Sequence, residues 1–156
     1  MNRLGFALAA ILGLASLLAP APVAAQDAGV TGAAEATLPD GATFNGIPLR
    51  GLTLGQGLFI AQDGSATGQF QAVLLGTSLL GSAQNITVEG EVRGGSVGAD
   101  GSATFSGTAT VDMGDGTLPL PGVPFTVTAS AGSLGLTLNA VALPTATVTA
   151  GSITLK

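Results

Sequence analysis

From Thr43 to the C-terminus the chain alternates apolar and polar residues with a period of two. In Ile86-Thr87-Val88-Glu89-Gly90-Glu91-Val92-Arg93 the aliphatic residues share one face and the charges take the other. Ala103, Phe105, Gly107, Ala109 and Val111 line one face of the next run, opposite Thr104, Ser106, Thr108 and Thr110. Phe125-Thr126-Val127-Thr128-Ala129, Leu134-Gly135-Leu136-Thr137-Leu138, Thr147-Val148-Thr149 and Ile153-Thr154-Leu155 repeat the pattern. A helix would need apolar residues three or four apart, whereas a strand with one buried and one wet face needs this alternation. Val and Thr also suit a pleated surface.

Turn chemistry separates the runs. Asp40-Gly41, Asn45-Gly46, Asp63-Gly64, Asp100-Gly101, Asp115-Gly116 and Pro121-Gly122 supply a residue that tolerates positive φ beside one that starts a turn. The spacing predicts an all-β fold: a single antiparallel β-sandwich or small closed β-barrel of roughly eight to ten strands. Three stretches, starting at Asp40, Asp63 and Asp100, share an Asp-Gly-(Ser)-Ala-Thr beginning. Their unequal spacing gives no solenoid period, so recurrent hairpin chemistry accounts for them.

The first residues carry a different signal. Met1-Asn2-Arg3 is followed by an apolar run from Leu4 to Leu18, then by Pro20, Pro22 and the small residues Val23-Ala24-Ala25. This is the pattern of a signal-peptide helix over residues 1–25, cleaved after Ala25. The run falls short of the ~20 residues of a spanning helix, so no membrane span is expected once it is removed. With no Cys beside the cleavage site, a bacterial lipid anchor is not expected either. Residues 26–36, "QDAGVTGAAEA", show no period and read as a flexible mature N-terminus; residues 37–156 read as the all-β domain. The expected destination is secreted, periplasmic or extracellular.

Composition narrows the chemistry. The chain has no His, Cys, Tyr or Trp. It therefore lacks an imidazole base, a Ser-His pair, a thiol nucleophile and the ligands of a structural zinc site. Its many serines have no base to activate them. After residues 1–25, only Arg50, Arg93 and Lys156 face nine carboxylates, so nucleic acid is not an expected partner. No catalytic residue, metal or cofactor is assigned, and the expectation is a non-enzymatic protein.

Three motifs invite a stronger reading. "GGSVGADGS" at 94–102 approaches the calcium nonapeptide repeat but is one residue too long and occurs once. "DMGDGT" at 112–117 fails as an EF-hand loop because Gly114 and Gly116 stand where oxygen ligands belong, leaving Asp112 and Asp115 as a weak calcium candidate. Glu89 and Glu91 lie about 7 Å apart on one strand face, a separation some glycosidases use, but an outward pair lacks the burial a general acid needs. Asn85-Ile86-Thr87 is an N-glycosylation triplet at a strand start. The missing aromatic girdles count against an outer-membrane barrel.

The C-terminal half, "ATFSGTATV", "PFTVTA" and "LTLNAVALPTATVTAGSITL", resembles small Thr/Gly-rich all-β domains of secreted bacterial proteins of unknown function. The resemblance implies a β fold and transfers no activity or site residue. The expected function is an exported, non-enzymatic structural or interaction module of the envelope or extracellular space. Its candidate contact loop is Leu118, Pro119, Leu120, Pro121, Gly122, Val123 and Pro124. The alternative is a barrel-type binding protein for a small apolar ligand, lined by Phe44, Phe59, Phe70, Phe105 and Phe125. The partner classes left open are an unknown protein, a glycan or that ligand.

Overall fold

Each alternating run becomes a strand in the computed structural model, which describes residues 27–156; the signal-peptide reading over 1–25 lies outside them. In chain order the strands are β1 (Ala28–Thr37), β2 (Thr43–Phe44), β3 (Ile47–Ile60), β4 (Ser65–Gly76), β5 (Ile86–Val97), β6 (Ala103–Asp112), β7 (Leu120–Ala129), β8 (Ser133–Leu138), β9 (Val141–Ala142) and β10 (Ala146–Leu155). All pair antiparallel, and β3 to β8 form a meander of sequential neighbours. β1 closes the ring, pairing β10 on one side and β3 on the other. Eight long strands thus make a closed, barrel-like sheet, and β2 and β9 are short additions paired to β3 and β8.

The strand β1 corrects the expectation of a flexible segment over residues 26–36. Its side chains are too small to show a period, yet Val30, Ala34 and Ala36 point inward and are buried. Two flanking ladders, from Val30 opposite Leu155 to Thr37 opposite Gly51, hold it in place. Long-range pairing decides the state of a segment whose own residues decide little.

An eight-stranded barrel is just wide enough for side chains to fill, and this one is filled. The fully buried Phe70, Phe105, Leu52, Leu74, Ile86, Leu134, Leu138, Val30, Val88 and Val127 form one core. Phe70 stacks on Phe125 with ring centroids 5.4 Å apart, and Phe105 meets Phe70 and Phe125 edge-on at 5.8 and 6.4 Å. Such contacts prefer these offset and edge geometries. Glycine makes the space: a Cβ on Gly90 would lie 2.6 Å from Cε1 of Phe125. Charges stay outside, with Glu89, Glu91 and Arg93 exposed on β5.

The up-and-down path gives the barrel two distinct ends. One holds the connections 38–46, 77–85, 113–119 and 139–140; we call it the loop end. The other, the terminal end, holds the tight turns 61–64, 98–102 and 130–132, with Asp27 and Lys156. Among the described residues no helix is long and apolar enough to cross a membrane.

Candidate functional site at the loop end

The loop end gathers most of the exposed large apolar side chains. Leu79 and Leu80 are 96% and 95% exposed, Leu118 and Leu120 are 93% and 63% exposed, and Val141 adds a further exposed group. Local turn geometry explains each. Gly81 N–H donates to the Ser78 carbonyl at 2.9 Å and takes φ +82°, so Leu79 and Leu80 occupy the tip of a four-residue turn. In the next loop, Asp115 accepts from the Thr117 N–H at 2.9 Å and from its hydroxyl at 2.6 Å, which leads the chain outward to Leu118. The Gln84 amide donates to the Met113 carbonyl at 3.1 Å and ties the two loops together.

Only Leu118 and Pro119 of the expected contact loop are loop. From Leu120 the stretch is already β7, and Pro121-Gly122 is a bulge opposite the Ala109-to-Val111 step of β6, with Gly122 at φ +73°. Val123 is buried, whereas Leu120, Pro121 and Pro124 face solvent. Beside the bulge lies a pocket of about 300 Å³. Phe44, Met113, Leu120, Val123, Leu138 and Val141 supply its apolar wall.

The five phenylalanines therefore do not share one cavity. Phe70, Phe105 and Phe125 fill the interior against one another, Phe44 lines the loop-end pocket, and Phe59 lies on the outer wall at 48% exposure. The Phe59 placement follows from register, since an odd step along β3 from inward Leu58 and Ile60 must face out.

The Asp-Gly turns use their carboxylates internally. Asp63 accepts from the Ser65 N–H and hydroxyl at 2.9 and 2.6 Å, and Asp100 accepts from Ser102 in the same way at 3.0 and 2.7 Å. These hydroxyl bonds, with the backbone N–H bonds second, hold Asp63, Asp100 and Asp115 below the ordinary carboxylate value of 3.8. Asp112 accepts from the Gly114 N–H at 2.9 Å. Among the described residues no three His, Cys, Asp or Glu side chains converge as a metal cage would require.

Glu89 and Glu91 line a shallow outer groove of about 380 Å³ with Gln69, Gln71, Thr108 and Thr110. The ladder sets Gln69, Glu91 and Thr108 in one row and Gln71, Glu89 and Thr110 in the next. Arg93 approaches Glu91 at 4.0 Å with both side chains mostly exposed, a pair of little energetic weight.

Two features escaped the sequence reading. Leu79-Leu80 carries a legible signal, because two adjacent leucines between turn formers cannot both face inward. Gln56 carries none: it occupies an inward position of β3, is 8% exposed, and neither amide atom has a hydrogen-bond partner.

Comparison with protein-family models, curated proteins and solved structures gives no match. The class defined so far is a closed all-β barrel with a filled interior and an apolar loop end.

Proposed function

We propose that the protein is an exported, non-enzymatic interaction module that binds its partner through the loop end. The observation behind this reading is the exposure of Leu79, Leu80 and Leu118 on two loops tied together at one end of the barrel, with Leu120 exposed at the start of β7 beside them. Isolated exposed leucines are ordinary, but four at one end of a barrel are more than scattered exposure supplies, and exposed apolar groups on loops are characteristic of a contact site. Asp40, Asp112 and Asp115 against Arg50 give this end an acidic rim, which favours a partner with a basic border and disfavours an anionic lipid surface. Replacing the four leucines by serine should leave the far-UV circular dichroism unchanged and weaken binding to the host's envelope fraction at least tenfold. Each leucine that loses burial forfeits about 1.5–3 kcal/mol. Unchanged binding would overturn the proposal.

A second reading, a small apolar ligand, has its own support in the loop-end pocket of about 300 Å³, the lower end of the range for ligand sites. Titration with a fluorescent fatty acid tests it. Saturable binding that Val123→Trp abolishes would support the reading, and no saturable binding would refute it.

A further inference from the structure

Residues 141–148 pair along β8 through β9, Leu143 and the start of β10, and β10 then runs on past the β7–β8 hairpin. β10 meets β8 only through Ala146 opposite Leu134 and Thr147 opposite Ser133, followed by one bond from the Val148 N–H to the Gly132 carbonyl. The β7–β8 hairpin turns back there, at residues 130–132. From Thr149 to Leu155, β10 has β1 on one side and, among the described residues, no strand on the other. More than half of a ten-residue strand thus presents unpaired backbone N–H and C=O groups at its free side. A cleft of about 690 Å³ opens at the foot of this edge, between Leu155-Lys156 and Ser96-Val97-Gly98-Ala99.

An exposed edge of this kind is a pairing template unless Pro, Lys or another charge blocks it. Residues 149–155, "TAGSITL", contain no Pro and no charge, and no charged side chain occurs anywhere from Gly116 to Leu155. Two irregularities lie in the strand itself, the extra residue Thr149 opposite the Glu35-to-Ala36 step and Gly151 at φ +80°, and Ser152 to Leu155 continue in regular register with β1. We propose that two copies of the chain join edge to edge through β10, antiparallel about a two-fold axis near Ser152. The occupant is a second copy because an antiparallel contact about such an axis sets each strand against itself, which like charges would forbid and this neutral segment permits. Ser152 marks the centre of the open stretch, and Ser152 and Thr154 are exposed along it, while the Thr149 hydroxyl donates to the Glu35 carbonyl of β1 at 3.3 Å. This contact is independent of the loop end and leaves it free.

The test uses the absence of cysteine from the chain. Facing residues in an antiparallel pair have Cα atoms about 4.5–5.5 Å apart, within the range a disulfide spans. Ser152→Cys should therefore oxidise to a covalent dimer at least tenfold faster than Gln71→Cys, an exposed control on a strand paired on both sides. Sedimentation velocity of the native chain should show a concentration-dependent dimer. Ala150→Lys with Ser152→Lys should return it to monomer without change in melting temperature, as should excess of a synthetic peptide copying residues 146–156. A native chain that stays monomeric at 100-fold different loadings, or equal cross-linking of the two cysteine variants, would overturn the proposal. Binding of the peptide to a chain that never dimerises would also overturn it, and would assign the edge to an extended segment of another protein.

Discussion

Asp63, Asp100 and Asp115 are three of the chain's nine carboxylates, and all three close turns. Each carboxylate closes its own Asp-Gly-Ser or Asp-Gly-Thr turn, which the sequence shows as spacing and the hydrogen bonds show as mechanism. Because the folded values lie below the ordinary 3.8, their contribution is present above that pH and is lost as pH falls through the folded values. The melting temperature should stay level from pH 8 to about 5 and fall below about pH 4. Changing all three to asparagine should flatten that fall, whereas an unchanged acid limb would contradict the account. Gln56 is the opposite case, a polar group inside that no pattern announced. Its amide is buried without partners, which costs about 1–3 kcal/mol, so Gln56→Leu should raise stability in urea unfolding by about 1–2 kcal/mol. A loss of stability would mean that the amide is satisfied in solution.

At the scale of elements, alternation in β5 to β8 assigned the inward face correctly down to Phe105, Val111, Phe125 and Val127. The same alternation could not reveal β1, because Ala and Gly on both faces leave no contrast and only the ladders to β3 and β10 order it. Nor could it show that Phe59 faces outward while Phe70 faces inward, since that rests on register. Glycine positions follow packing more than turn propensity in β5. Gly90→Ala would push a methyl into the Phe125 ring and should cost about 1–3 kcal/mol. Gly55→Ala, with nothing within 4 Å of the new carbon, should be neutral or stabilise by about 0.4–1 kcal/mol. Equal effects at the two positions in thermal unfolding would refute the filled-core description.

The whole molecule separates its packed, open and apolar regions by location. The interior is occupied by three packed rings and leaves no roomy calyx among them. The side wall carries a neutral open edge at β10, and the loop end carries the leucines. Fold class and outer-face polarity were legible because they depend on local periodicity. Closure of the ring and the tie between the 77–85 and 113–119 loops were not, because both depend on which distant strands become neighbours. Hydrogen–deuterium exchange of the chain alone and bound to the host's envelope fraction tests the central claim most directly. The account predicts that binding slows exchange in residues 77–85, 113–123 and 139–141 and leaves 61–64 and 98–102 unchanged. Protection confined to the terminal end, or to the outer groove at Glu89 and Glu91, would contradict it.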